Sequence, residues 1–291
     1  MSLEKIEKPD AAAWLAGLVE HPPRAARFIV TVYGDAVVPR GGILWMGTLI
    51  EIANAAGLSE SLVRTAVSRL VAAGQLIGER VGRRSYYRLT DAARVEFSAA
   101  ESALFAGQPD ATGWVFFMPQ NADCPAPDDF ALIAKGVYLG PDRPGRQLPP
   151  GLVFHSSIAA GAPMLPGYAN QYWNLYRVSA AYTRVIDRFA PLAEMLTAGV
   201  CLSPQDSLIA RLLLVDHFRA AVLQDPRLPA DALPADWPRQ AATTLFASLY
   251  LSLAPRADSH VGAVFRDTAG LLPAATPQTD HRLAALKASL N

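Results

Sequence analysis

Cysteine is nearly absent from this chain, since Cys124 and Cys201 are the only two among 291 residues. They are too few for a disulfide framework and form no CxxC pair, which argues against a cysteine-rich secreted scaffold. Long apolar runs are also missing: no stretch approaches the ~20 apolar residues that a membrane-spanning helix requires. The opening residues, MSLEKIEKPD, lack the apolar core of a signal peptide. We therefore expect a cytoplasmic protein with no membrane partner.

Catalytic motifs are missing as well. The sequence has no HExxH or GxSxG motif and no glycine-rich phosphate loop followed by lysine. The five histidines are scattered, at positions 21, 155, 217, 260 and 281. We therefore predict no catalytic residue, no metal ligand and no cofactor, and a protein that is not an enzyme.

The formal net charge is zero, but the charge is unevenly distributed along the chain. Residues 24–94 contain ten arginines and five acidic residues, so this segment carries +5 and the rest of the chain −5. A basic segment beside a mildly acidic body is typical of a DNA-binding domain joined to a part that avoids DNA. With 51% hydrophobic residues, a chain of 291 residues can form two or three folded domains.

Residues 59–74 predict a helix with one apolar and one polar face. Ser59 suits the N-cap because its hydroxyl can accept an unpaired N–H of the first turn, and Gly74 suits the end of the helix. The apolar stripe consists of Leu62, Val63, Ala66, Val67, Leu70 and Val71. The opposite face consists of Ser61, Arg64, Thr65, Ser68 and Arg69. Arginine binds base edges or phosphates and hydroxyls bind phosphate oxygens, so this face is a candidate DNA contact.

A shorter helix precedes this one and a basic hairpin follows it. Residues 46–56 predict the shorter helix, and the link Gly57-Leu58-Ser59 is as tight as the turn of a helix-turn-helix motif. Residues 75–81 and 85–89 predict two strands joined around Gly82. The arginines in or beside this turn are Arg80, Arg83, Arg84 and Arg88. Either element alone is more often merely solvated, but in this order they predict a winged helix-turn-helix that binds double-stranded DNA.

The remaining segments predict helices and a small sheet. Before and after the basic hairpin, helices are predicted over residues 10–20, 24–36 and 91–105. Short strands at 114–118, 136–140 and 152–156, with one short helix at 128–134, predict a small α+β module. Further helices are predicted from Tyr168 to Phe189 and at 208–223 and 237–253, and residues 258–269 are a candidate for a fourth.

Aromatic and basic side chains in the C-terminal helices are candidates for a ligand pocket. They are Tyr172, Trp173, Tyr176, Arg211 and His217. Aromatic residues at helical spacing lie in a core more often than in a pocket, and a histidine among apolar neighbours is usually a packed residue. Both interpretations remain open for these five residues.

Four motifs stand out in the N-terminal part of the chain: RFIVTVYGD at 27–35, PRGG at 39–42, LVRTAVSRL at 62–70 and GRRSYYRL at 82–89. Together they resemble the N-terminal domain of the PaaX family, whose members are bacterial repressors of phenylacetate catabolism. Residues 134–139 and 208–250 are similar to later parts of the same family. The resemblance implies a ferredoxin-like middle module and an aryl-CoA thioester as effector, such as phenylacetyl-CoA.

We therefore predict a helix-rich α+β protein that acts as a homodimeric transcriptional repressor on a partly palindromic operator. The predicted parts are a leader helix (1–23), a winged helix-turn-helix domain with connector helix (24–107), a ferredoxin-like module (108–167) and a helical effector and dimerisation domain (168–291). The alternatives are a regulator of the same fold that responds to a different acyl-CoA or another ligand, a winged-helix protein-interaction module, or an enzyme that uses His217.

Overall fold

The computed structural model describes residues 10–106, 110–121 and 124–290. Within these ranges the chain is helix-rich α+β, with two antiparallel sheets. It forms two compact units: the first contains residues 10–106, 185–219 and 241–290, and the second contains residues 110–184 and 220–240. No helix in the described part of the chain is long and apolar enough to cross a membrane.

The first unit begins with two helices, α1 (Ala11–Val19) and α2 (Ala25–Val32). Asp10 caps α1 by accepting the Ala12 N–H at 2.9 Å. After α2 the helix widens into a π-helical turn, Tyr33–Val37, and then tightens into a 3-10 turn, Val38–Arg40. The helix predicted over residues 24–36 is therefore regular only as far as Val32.

A three-stranded sheet and two helices follow. They are β1 (Ile43–Trp45), α3 (Met46–Ala55), α4 (Glu60–Ala72), β2 (Leu76–Val81) and β3 (Arg84–Leu89). The strand order is β1-β3-β2, and both pairings are antiparallel. The next element is α5 (Asp91–Glu101), which ends in a second π-helical turn, Ser102–Ala106.

The turn between α3 and α4 requires glycine. Gly57 has a φ of +84°, a backbone conformation that glycine adopts without steric cost. A Cβ at this position would also lie 2.5 Å from the Val19 carbonyl oxygen at the end of α1. The leader helix therefore packs directly on this turn.

The second unit contains a four-stranded sheet, built from β4 (Gly113–Pro119), β5 (Ala131–Ala134), β6 (Val137–Asp142) and β7 (Gly151–Ser156). The strand order is β5-β6-β4-β7, antiparallel throughout. Residues 131–134 form a strand that pairs with β6, so the helix predicted over 128–134 is wrong. Four residues are too few for periodicity to distinguish a strand from a helix.

The helices of the C-terminal half are α6 (Leu165–Trp173), α7 (Leu175–Thr197), α8 (Pro204–Val222), α9 (Arg239–Val264) and α10 (Pro277–Ala288). The single helix predicted from Tyr168 to Phe189 is interrupted at Asn174, which has a φ of +49°. A separate helix over 258–269 is also wrong, because α9 continues to Val264. The sequence prediction did not include α10.

In the second unit, aromatic side chains from the sheet and the helices form the core. Trp114 of β4 packs at 5.7 Å, centroid to centroid, against Trp173 of α6, and Ala169, Leu175 and Leu228 are buried in the same cluster. Tyr182 donates a hydrogen bond to Asp225 at 2.9 Å within this unit.

In the first unit, charged side chains lie among the apolar core residues. We call this set the interior ion network, and its charged members are Asp35, Arg40, Glu101, Arg211, Asp258 and Arg282. Arg211 is 1% exposed, with its Nε 2.9 Å from Asp35 Oδ2 and its Nη1 2.8 Å from Asp258 Oδ1. Arg282 Nη2 lies 2.6 Å from Glu101 Oε1. Three acids thus balance three guanidinium groups; the guanidinium groups and Asp35 are buried, whereas Asp258 and Glu101 are partly exposed.

Asp35 lies at the centre of the interior ion network. Its Oδ1 accepts a hydrogen bond from the Tyr250 hydroxyl at 2.7 Å and lies 3.3 Å from Arg282 Nη1. Burial alone would raise the pKa of Asp35, but Arg211 and Arg282 outweigh it and hold the pKa below its usual value. The carboxylate is therefore ionised, and burial together with Asp35 raises the pKa of Tyr250 to about 12.

Candidate nucleic-acid interface

The helix α4 begins at the predicted cap and presents the predicted polar face. Ser59 Oγ accepts the Leu62 N–H at 3.5 Å, and Gly74 follows the helix with a φ of +69°. Ser61, Arg64, Thr65, Ser68 and Arg69 are all exposed. On the other side Val63, Ala66, Val67 and Leu70 are buried. The amphipathic pattern of this segment is therefore confirmed over most of its length.

Two members of the predicted apolar stripe do not pack. Leu62 is 54% exposed and Val71 is 39% exposed, so the expectation that they are buried is wrong. They lie at the edges of the stripe, where the helix surface turns away from the core. Ile77 and Val81 of β2 are also exposed, so apolar side chains are interspersed among the arginines of this surface.

The arginines of α4 are held only weakly in the free protein. Arg64 Nη2 pairs with Glu60 Oε1 at 2.7 Å, and both side chains are more than half exposed. Exposed i,i+4 pairs are worth only about 0.3–0.5 kcal/mol, so a phosphate or base edge could displace Glu60. Arg69 makes no ion pair with any residue that the structure describes.

An open groove separates α4 from the hairpin formed by β2 and β3. Arg64, Ser68 and Val71 lie on its helix side, and Arg80 and Tyr87 lie on its strand side. The structure therefore brings two of the predicted arginines and one predicted hydroxyl to a single concave surface. Such a surface can follow a phosphate backbone and approach base edges at the same time.

The other hairpin arginines occupy different positions. Gly82, with a φ of +61°, and Arg83 form the two-residue turn, so Arg83 is at the tip. Because Arg80 is opposite Ser85 in the register, alternation places Arg84 and Arg88 on the other face of the hairpin. The Arg84 guanidinium lies 4.9 Å from the centre of the Trp45 ring, and Arg88 is half-buried.

The sequence analysis did not identify two residues that shape the groove, Gly78 and Tyr87. The Tyr87 ring lies against Gly78, where a Cβ would be 2.8 Å from a ring carbon. The Tyr87 carbonyl accepts a hydrogen bond from the buried Tyr33 hydroxyl at 2.9 Å, which ties β3 to the π-helical turn. A glycine inside a strand is the signal that could have indicated this close approach.

Three of the five candidate ligand residues lie in the second unit. Trp173 is built into the core, and its Nε1 donates a hydrogen bond to the Asp129 carbonyl at 2.8 Å. Tyr172 and Tyr176 are exposed. Tyr168 is exposed as well, and Asn174 separates the helix of Tyr168 and Tyr172 from the helix of Tyr176, so the three rings do not lie on one continuous helix.

The other two candidates lie in the first unit. Arg211 belongs to the interior ion network and is almost fully buried. Arg188 Nη1 lies 3.1 Å from His217 Nε2, and the imidazole packs edge-on against Phe189. Asp216, next to His217, accepts two hydrogen bonds from Arg27. Both candidates therefore contact protein groups in the structure.

The chain matches two families over much of its length. The family described as PaaX-like protein matches residues 24–93, and the PaaX-like protein C-terminal domain matches residues 173–263. The transcriptional repressor PaaX of Escherichia coli (strain K12) is 30% identical over 278 residues, which cover 87% of this chain and 88% of that protein.

One solved structure is similar over most of its own length. The uncharacterized protein Rv0674 from Mycobacterium tuberculosis is 22% identical, with a TM-score of 0.43, and the match covers 73% of this chain and 89% of that one. The assignment to a family rests on the family matches and the E. coli relative, and not on this structural likeness. They show that the chain belongs to the PaaX family and is a homologue of a transcriptional repressor, a regulator rather than an enzyme.

Proposed function

We propose that this regulator represses transcription by inserting α4 into the major groove of an operator. The observation that carries the proposal is the groove between α4 and the hairpin, where Arg64, Ser68 and Arg80 are exposed together. In this proposal α3 and α4 form a helix-turn-helix and the β2–β3 hairpin is its wing. Arg69 and Thr65 then reach base edges or phosphates, while Arg83 at the hairpin tip contacts the backbone or the minor groove.

The rest of the domain organisation is proposed on the same basis. The strand order of the second unit, with β4 between β6 and β7 and β5 at the edge, supports a ferredoxin-like module. The winged domain corresponds to residues 24–107 and the effector and dimerisation part to residues 168–291. We propose a cytoplasmic homodimer, because a twofold protein presents two copies of α4 to a partly palindromic site.

The proposed effector is an aryl-CoA thioester such as phenylacetyl-CoA, as the PaaX likeness implies. Release of the operator requires that the effector bind more tightly to a conformation that fits DNA poorly. An effector with equal affinity for both conformations would leave repression unchanged.

The first experiment is a fluorescence-anisotropy titration of the full-length protein with DNA from upstream of its own gene. A scrambled duplex of the same length is the control, and each titration is run at two salt concentrations. We expect tighter binding to the native sequence and weaker binding at the higher salt, because arginine–phosphate contacts release counterions. Equal affinity for both duplexes would overturn the proposed sequence-specific repressor.

The second experiment tests whether the arginines of α4 contact the operator. Loss of one base-reading arginine costs about 1–3 kcal/mol of operator affinity. We expect the double variant Arg64→Ala, Arg69→Ala to lose this much or more. The matched control is Arg184→Ala, Arg256→Ala, which removes two exposed arginines from other helices. Equal affinities for the two double variants, with both shown to be folded by circular dichroism, would refute the assignment of α4.

A further inference from the structure

A partly open cavity of about 300 Å³ lies in the first unit, and it shares no lining residue with the groove between α4 and the hairpin. Its walls come from α2, from the turn at Gly41 and Gly42 that precedes β1, from α5 and from α8. This volume is at the lower end of the range of about 300–1,000 Å³ that ligand pockets occupy. The proposed function makes no use of this cavity.

Both π-helical turns of the first unit contribute to its wall. Gly34 and Asp35 come from the turn after α2, and Leu104 and Phe105 come from the turn after α5. π-Helical turns are rare, and they occur frequently at functional sites because the extra residue re-aims side chains. The presence of two such turns in the wall of one cavity therefore supports a functional site independently of the cavity volume.

Most of the wall is apolar. Phe97, Leu104 and Phe105 line one side, with Val38 and Val215 also in the wall. A ligand that fills this space therefore needs an apolar body of aryl or branched alkyl character, which gains free energy by leaving water.

Two arginines, Arg94 and Arg219, bring positive charge to the lining of the cavity. Asp35 and Glu101 line the cavity, but they are already paired with Arg211 and Arg282 of the interior ion network. The Nε of Arg219 is buried with no hydrogen-bond acceptor among the described residues. Arg219 Nη2 donates a hydrogen bond to the Arg27 carbonyl at 3.5 Å, and Asp216, whose charge acts on Arg219, also accepts two hydrogen bonds from Arg27.

Arg94 is the second cation of the lining, and its side chain is exposed to solvent. It lines the cavity from α5 and makes no ion pair within the part of the chain that the structure describes. Its guanidinium lies over Gly42, where a Cβ would be 3.3 Å from Nη2. A carboxylate or phosphate at this place would accept charge-assisted hydrogen bonds.

We propose that this cavity binds the aryl or branched alkyl part of the regulator's effector, and that Arg94 and Arg219 bind a carboxylate or phosphate of the same molecule. That the ligand is an effector rests on the proposed function, whereas ligand binding to the cavity does not depend on it. It assigns the effector to this cavity instead of to Tyr172, Trp173 and Tyr176. The ligand would contact α2 and the turn before β1, so its binding can shift the elements that support α4.

The test uses the full-length protein and the probe 8-anilinonaphthalene-1-sulfonate, an apolar aryl group with an anion. We expect Ala100→Phe, which fills the cavity from α5, to weaken binding of the probe about tenfold or more. The matched control is Ala92→Phe, because Ala92 is exposed on the same helix and lies outside the cavity. Probe affinity should be unchanged in this control. If Ala100→Phe does not fold, Ser98→Trp fills the same space.

The charge is tested separately. Arg94→Ala should weaken the probe about tenfold, as expected for the loss of a hydrogen bond to a charged group, whereas Arg184→Ala should not. Competition of the probe by phenylacetate, by phenylacetyl-CoA and by coenzyme A alone then distinguishes a carboxylate ligand from a phosphate-bearing one.

Two outcomes would overturn the inference: equal probe binding in Ala100→Phe and Ala92→Phe, or no probe binding at all to the wild-type protein. Operator affinity without ligand is measured in the same variants. A cavity variant that binds DNA normally but has lost the probe supports the inference. If the wild-type protein shows no sequence-specific DNA binding, the proposed function is contradicted, but the result with the probe still stands.

Discussion

The substitution Asp35→Asn should destabilise the first unit strongly. The change keeps the size of the side chain and an acceptor for the Tyr250 hydroxyl, but it removes the negative charge. Glu101 and Asp258 then remain against three buried guanidinium groups, which leaves one positive charge uncompensated. Removing one partner of a buried ion pair typically costs about 3–5 kcal/mol. That is a large part of the about 5–15 kcal/mol that stabilises a folded domain.

The assay is urea unfolding followed by circular dichroism at pH 7. The control is Asp236→Asn, because Asp236 is exposed, and surface substitutions usually change stability by less than about 0.5 kcal/mol. Combining Asp35→Asn with Arg211→Met removes one charge of each sign, so the double variant should lose less than the sum of the two single variants. A loss below about 1 kcal/mol for Asp35→Asn would refute the role that we give to the network.

Three further predictions concern pH and glycine. Because the pKa of Asp35 is depressed in the folded protein, its contribution is present above the unfolded pKa of about 3.9 and is lost as the pH falls through the folded value. The unfolding free energy should therefore decrease below about pH 4, and less so in Asp35→Asn, as urea titrations at several pH values would show. Gly57→Ala should cost about 1–3 kcal/mol because of the positive φ and the Val19 carbonyl, whereas Gly17→Ala, with open space around it in α1, should stabilise by about 0.5–1 kcal/mol; thermal unfolding compares the two. Gly78→Ala should displace the tyrosine ring of the groove and weaken operator binding more than it lowers the melting temperature, which anisotropy and calorimetry on one preparation would check.

Local chemistry explains which elements the sequence predicted well. The N-cap at Ser59, the glycine at 74 and the stripe between them are all determined within one helix, and the helix is observed at Glu60–Ala72. The hairpin around Gly82 depends on a two-residue turn, which is also a local signal. The motifs that resemble the PaaX family lie in the same region, and the comparisons confirm that family.

The missed elements depend on partners that are distant in the sequence. Strands β1 and β5 contain only three and four residues, so they are defined by pairing and not by their own pattern. The hydrogen bond from Tyr250 to Asp35 spans 215 residues, and no periodicity indicates it. Arg211 was a candidate for ligand binding because the sequence does not show whether an arginine in a helix pairs with a ligand phosphate or with a carboxylate that is distant in the chain.

The interior ion network also affects when the protein can fold during synthesis. A ribosome releases the N-terminal residues first, and many domains fold as soon as they emerge. Here Asp35 needs Arg211 and Arg282, and Arg282 lies in α10, close to the C-terminus. A nascent chain that has released α4 from the ribosome therefore still has an unpaired carboxylate, Asp35, in the turn after α2. Competence to bind DNA should therefore arise only after α10 has left the ribosome, and deletion of α10 should abolish DNA binding by α4.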